Sequence, residues 1–243
     1  MITVNHQPAP GYLFLENAGQ GGFRYAMILD NDGSPLWYRR GDGWGLKVQE
    51  NGLITWGAFT GVDANFSFVR NYHAANRHTT DNHDLEVLED GGYVLIGLHN
   101  QRGVDMTRYL PGANPSAAVS GAVLQEFGPA GELILQFRAW DHFDIRDLEP
   151  AVEDPLGGSI NFPHMNALDV DTDHHLLLSS RHISEVTKIH RDTGRIIWRL
   201  GGAHSDFAFV ADPLNGFPNQ HDPGDSRLWE KRAEGRYLNE RCF

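Results

Sequence analysis

Residues 83–97 read HDLEVLEDGGYVLIG, and residues 164–180 read HMNALDVDTDHHLLLSS. Each stretch opens on a histidine, runs through mixed apolar and polar residues, and breaks in the middle at a polar turn. Short β-rich runs split by Asp, Asn and Gly are the mark of antiparallel hairpins. The pattern extends in both directions. FRYAMILDNDGSPLWYRR (23–40) and GLKVQENGLITWGAF (45–59) precede it, AVLQEFGPAGELILQF (122–137) lies between, and EVTKIHRDTGRIIWRL (185–200) follows. No window carries a long helical period. HAANRHTTD and YLPGANPSA read as loops, or at most a short turn of helix.

The hairpins alternate in kind. One kind carries a leading histidine, at His83 and His164. The other ends in an aromatic residue, as in Gly33–Trp37, Gly194–Trp198 and the looser GELILQF at 131–137. A histidine hairpin followed by an aromatic one makes a four-stranded antiparallel unit, over about 83–140 and 164–202. A four-stranded sheet that recurs is a propeller blade. The fold expected is therefore all-β, a partial β-propeller of about three to four blades over residues 1–222. A charged tail follows at 223–243. In this arrangement the histidine strands line a central channel, and Trp37 and Trp198 lie buried between neighbouring blades. An incomplete ring leaves apolar blade faces open, which favours self-association.

Composition limits the partners. The chain has 243 residues and a formal net charge of −12, with 20 Lys and Arg against 32 Asp and Glu. So acidic a protein has no general attraction for nucleic acid or anionic lipid. No run of eighteen apolar residues spans a membrane, and the N-terminal segment does not read as a secretory signal. The one cysteine, Cys242, allows no internal disulfide and no cysteine zinc site.

Residues that recur at the same place in a repeated unit converge in space. His83, His164 and His221, the last in the QHD of 220–222, are the strand-opening histidines. Arg181 ends the hairpin that His164 begins, so the two fall at the same end, and Asn166 lies two residues into that strand. His142, in AWDHF, is placed to reach the mouth of the same cavity and contact substrate. Imidazoles, an amide and a guanidinium around one cavity suit a tetrahedral oxyanion: arginine offers a bidentate fork, and histidine serves as donor, acid or nucleophile near neutral pH. Two other readings stay open at this point. Three histidines with Asp84 or Asp222 would hold zinc and activate water, although no HExxH spacing supports it. An inactive blade array serving as a binding module is the other. No GxSxG elbow points to a serine hydrolase.

Beyond the residues themselves, the chain resembles the arylsulfotransferase family, which makes sulfate esters without a nucleotide donor. The resemblance rests on LDNDGSPLWYRR, HDLEVLEDGGYVLIG, VLQEFGPAGELILQFRAWDHF, the run from HMNALDVD to IIWRLGG, SDFAFV and GFPNQHD, over roughly residues 10–222. It implies a six-bladed propeller with the active site in its central channel. It also implies transfer of a sulfuryl group from an aryl sulfate donor to a phenolic acceptor through a sulfated histidine, with no metal or other cofactor. By that resemblance His221 is the nucleophile, and His164, His83, Arg181 and Asn166 are active-site residues. Members of the family are usually exported and continue through further blades after the QHD, so the resemblance places this chain as a shortened member.

Overall fold

The computed structural model describes residues 10–17, 24–41, 45–57, 59–213 and 216–221. The expected tail at 223–243, and with it Asp222 and Cys242, lies outside the described residues. The structure is all-β, made of four antiparallel sheets of the β-propeller blade type. No helix among the described residues is long and apolar enough to cross a membrane.

Two compact units hold the sheets, one within Met1–His73 with Val87–Asp90, the other within Ala74–Glu86 with Gly91–Phe243. In the first, β1 (Leu13–Glu16), β2 (Tyr25–Leu29) and β3 (Pro35–Arg40) form a three-stranded sheet. β4 (Lys47–Val48), β5 (Ile54–Trp56), β6 (Thr60–Val62) and β7 (Phe68–Asn71) form a four-stranded meander of very short strands. The hairpin at 23–40 thus gains a strand, and the stretch after residue 45 makes a whole sheet. Trp37 joins the two sheets, stacked on Phe66 with centroids 4.7 Å apart and tilted against Trp56. Aromatic pairs of this kind stabilise by about 0.5–1.5 kcal/mol beyond their burial.

In the second unit, β8 (Thr79–Val87), β9 (Tyr93–Val104), β10 (Ala117–Phe127) and β11 (Leu133–Arg138) form a meander. β12 (Ser159–Phe162) adds in parallel to the first half of β10. β13 (Met165–Val170), β14 (Leu176–Ser180), β15 (Glu185–Ile189) and β16 (Ile196–Gly201) form the next. These are the two full units read from the sequence. One continuous core joins them: Val94, Ile96, Leu124 and Phe137 from one sheet pack with Leu168, Leu176, Leu178 and Ile189 from the other. Each such side chain contributes about 1.5–3 kcal/mol on burial. Polar ties cross the same seam. Arg191 meets the buried Glu126 at 2.7 Å, and the Asp84 carboxylate accepts from the backbone N–H of Leu168 at 2.9 Å.

Two expectations change. β8 begins at Thr79, four residues before His83, and pairs with β9. His83 therefore stands mid-strand. Trp198 is only half-buried and meets Phe207 edge-on at 5.6 Å, a residue of the segment after β16 rather than of a neighbouring sheet.

Several hairpin turns share one geometry, in which the fourth turn residue donates its N–H back to the first and takes a left-handed φ. Gly33 does so to Asp30 with φ 83°, and Gly131 to Gly128 with φ 87°. In the β13–β14 turn this place belongs to His174, whose N–H reaches Asp171 at 2.8 Å with φ 65°. A side chain there costs about 1–2 kcal/mol that glycine avoids, less the greater chain entropy glycine loses on folding. We expect His174→Gly to raise stability by about 1 kcal/mol in urea unfolding. Asp84→Ala strips the buried Leu168 N–H of its acceptor, and the same measurement should show a loss of about 1–3 kcal/mol.

Candidate active site

The three histidines His83, His164 and His221 meet. The ring centroids of His83 and His164 are 4.9 Å apart, and His221 lies 6.2 Å and 6.1 Å from them. One ring nitrogen from each falls within 4.8 Å of the others. All three belong to the second unit.

His83 is aimed by its own strand. Residues two apart on a strand share a face, so Asp81 lies beside it and bonds Nδ1 at 2.5 Å and the backbone N–H at 2.8 Å. This fixes a proton on Nδ1 and leaves Nε2 facing the cluster. The bond to Asp81 holds the His83 pKa above the usual imidazole value, against the opposing effect of burial.

His164 occupies the bend before β13 with φ 60°. Non-glycine residues in that region cost about 1–3 kcal/mol and gather at functional sites. The bend is held by strand-like bonds from Arg181 N–H to the His164 carbonyl and from His182 N–H to the Pro163 carbonyl, both 2.9 Å. Asn161 donates its side-chain N–H to His164 Nδ1 at 2.8 Å. That bond makes Nδ1 an acceptor and puts the single ring proton on Nε2. Burial, followed by the nearby His182, His83 and Arg181, pushes the His164 pKa down to about 3. His164 is thus a neutral N–H donor at any ordinary pH.

Arg181 follows β14 directly and donates to His182 Nε2 at 3.0 Å. His182 in turn donates Nδ1 to the Asn161 carbonyl at 2.8 Å, lies 3.4 Å from the Glu153 carboxylate, and stacks on His164 at 4.4 Å. Glu185, four residues beyond Arg181, lies 3.7 Å from Arg199.

His221 is exposed. Burial against the cluster, then the charge of Arg181 and the neighbouring His83, lower its pKa below the usual value. The segment that carries it is pinned from behind. Asn166 is buried and donates its amide to the Gln220 carbonyl at 2.6 Å, while Gln220 donates to Ser179 Oγ and the Glu185 carbonyl. Asn219 N–H reaches Ser184 Oγ at 3.0 Å. Asn166 therefore braces the residue before His221.

His142 is placed elsewhere. Its ring stacks on Phe137 at 3.9 Å, and it lines a separate cavity with Tyr109, Trp140 and Arg146. None of the residues lining that cavity belongs to the histidine cluster. Asp84 faces Leu168 and Leu85, so it serves the fold. Lys188 is taken up by Asp171 and Asp173. Asp81, Asn161, His182 and Gln220 are the members the sequence reading missed. Of these, only Asp81 carried a signal, its i, i+2 spacing from His83.

Comparison with known proteins fits this geometry. The model of the family described as Arylsulfotransferase (ASST) matches residues 41–232. No curated protein sequence matches the chain. Among solved structures, a protein of unknown function from Bacteroides caccae is 13% identical, with a TM-score of 0.44 over 78% of this chain and 58% of its own. The dihydro-heme d1 dehydrogenase NirN in complex with DHE is 17% identical, with a TM-score of 0.33 over 74% of this chain and 42% of its own. The chain thus spans about half the length of these structures. The match across most of the sequence shows that the chain belongs to the arylsulfotransferase family.

Proposed function

We propose that the chain transfers a sulfuryl group from an aryl sulfate to a phenolic acceptor, with His221 as the nucleophile. Family membership supports a sulfotransferase-like function in general terms. The observation that carries the finer reading is the division of labour among the three imidazoles. His83 is held toward its protonated form by Asp81, while His164 and His221 are held neutral. Titratable groups pushed apart in this way mark acid and base roles.

In the forward half-reaction, a lone pair on the His221 ring attacks sulfur and the bond from sulfur to the aryl oxygen breaks. The departing phenolate takes a proton from His83. The Nε2–H of His164 and the guanidinium of Arg181 hold the sulfuryl oxygens as charge develops, which is the part electrostatic stabilisation plays in acyl and phosphoryl transfer. In the return half, the acceptor phenol gives its proton to the now neutral His83 and its oxygen attacks sulfur. The N–S bond breaks and His221 is restored. Donor and acceptor are both phenols, so one acid–base residue serves both halves.

His221→Ala should lower acceptor-dependent release of p-nitrophenol from p-nitrophenyl sulfate by about 10³-fold or more. His164→Ala should lower it by about 10²–10³-fold. Equal activity in His221→Ala and the parent chain would end the reading. The pH profile of kcat/KM gives a second check. Activity needs His221 neutral, so the acid limb lies below the usual imidazole range. It needs His83 protonated, so activity falls on the alkaline side at a pH above that range. Asp81→Asn removes the group that raises the His83 pKa, and the alkaline limb should move to lower pH while the acid limb stays.

A further inference from the structure

Arg181 is oriented without being neutralised. It opens the short 3₁₀ turn Arg181–Ile183 that follows β14. Among the described residues it forms no ion pair, and the side chain it bonds is the imidazole of the next residue, His182, at 3.0 Å. A guanidinium can only donate, so His182 Nε2 is the acceptor and carries no proton. The other ring nitrogen agrees. Nδ1 bonds the Asn161 carbonyl at 2.8 Å, which can only accept. His182 is therefore a neutral imidazole with its proton on Nδ1. One oxygen of the Glu153 carboxylate lies 3.4 Å from that nitrogen, and the other takes the Asn161 backbone N–H at 3.0 Å. Acceptors behind one ring nitrogen fix the tautomer and make the far nitrogen more basic. His182 is only 4% exposed, so the fold holds this arrangement.

We propose that His182 is a positioning residue, whose neutral Nε2 aims the Arg181 guanidinium as the anion-binding group of the histidine cluster. The alternatives at that place would each fail. A carboxylate would aim the guanidinium equally well and cancel its charge. An imidazolium would offer no lone pair and would repel it. A neutral acceptor orients the fork and leaves its charge, with its other N–H donors, for an anion. That charge reaches the cluster, where it contributes to the lowered pKa values of His164 and His221. The same ring stacks on His164 at 4.4 Å. Asn161 serves both rings, with its carbonyl on His182 and its amide on His164 Nδ1. One support thus holds the two groups assigned to the sulfuryl oxygens. The assignment of those oxygens rests on the sulfuryl-transfer reading, whereas the aiming of Arg181 at an anion can be measured without any reaction.

The first test uses the unaltered chain. Long-range proton–nitrogen NMR of the histidine rings should show His182 neutral near pH 7, with its proton on Nδ1. A proton on Nε2 would overturn the proposal. The second is calorimetric titration with inorganic sulfate, with no aryl sulfate present. The parent chain should bind sulfate, and Arg181→Ala should bind it at least about 10-fold more weakly. His182→Phe keeps a ring against His164 and loses the acceptor, whereas His182→Gln loses the ring and can offer its carbonyl oxygen to Arg181. Sulfate affinity should therefore fall in His182→Phe as in Arg181→Ala and stay near the parent value in His182→Gln. In the p-nitrophenol assay kcat/KM should follow the same order, with a loss of about 10²-fold in His182→Phe. Added to Arg181→Ala, His182→Phe should cost nothing further, because it acts through the residue already removed. Circular dichroism checks the fold of each variant. The reverse order of Phe and Gln, an equal loss with and without Arg181, or no sulfate binding by the parent chain would each overturn the proposal. Sulfate binding in the expected order, with His221→Ala as active as the parent, would end the sulfuryl-transfer reading and leave this one standing.

Discussion

The site depends on one backbone hydrogen bond, from Arg181 N–H to the His164 carbonyl. It continues the ladder of β13 and β14 one step past the strands, and so closes the far ends of a hairpin on each other. Seventeen positions separate the two residues in the chain (164 to 181), yet this bond makes them neighbours. It also holds His164 in its left-handed bend. The strain of the bend is borne by the sheet behind it, where Leu168, Leu176 and Leu178 are buried in the core. Rigid packing behind a strained loop is the usual way a fold fixes reacting groups in place.

The supports around the imidazoles then separate their protonation states. Desolvation alone would push all three toward neutrality. At His83 the bond to Asp81 opposes it and wins. At His164 nothing of comparable weight opposes it: Asn161 is a neutral donor, the nearby imidazoles and Arg181 push the same way, and Asp81 raises the pKa only slightly. One carboxylate placed two residues along a strand therefore distinguishes an acid from a neutral donor at 4.9 Å separation.

Much of the fold was legible because its signals are local. The Asp, Asn and Gly turns force a reversal wherever they occur, and the apolar runs between them leave few alternatives to hairpins. The boundaries that slipped were those set by pairing at a distance. Thr79–Asp81 reads as loop by composition, yet it starts β8, where the Asn100 amide of β9 donates to Thr79 Oγ1 at 3.1 Å. The β13–β14 turn was read correctly although His174 stands where turns such as Asp30–Gly33 and Gly128–Gly131 place glycine, since tertiary context overrides a local cost of that size. For the site, recurrence in the repeat brought out His83, His164 and His221, and the hairpin length brought out Arg181. Asn166 was found, but its amide points at the Gln220 carbonyl, which no spacing rule could specify. Asn161 and His182 were invisible for the same reason. They act through contacts made by a strand that joins its sheet in parallel, after a long excursion.

The electrostatics also reconcile a chain of net charge −12 with the anionic substrate proposed for this cluster. Exposed charges farther off than about 8–10 Å are largely screened at physiological ionic strength. Charges inside that radius act at higher strength where burial lowers the local dielectric, as at the half-buried His83 and His164. Within the cluster the fixed cation is Arg181, and the nearest carboxylate, Asp81, has its charge offset by the proton it holds on His83. Under the proposed reading, a monoanionic ester would meet the Arg181 guanidinium, a protonated His83 and the N–H of a neutral His164.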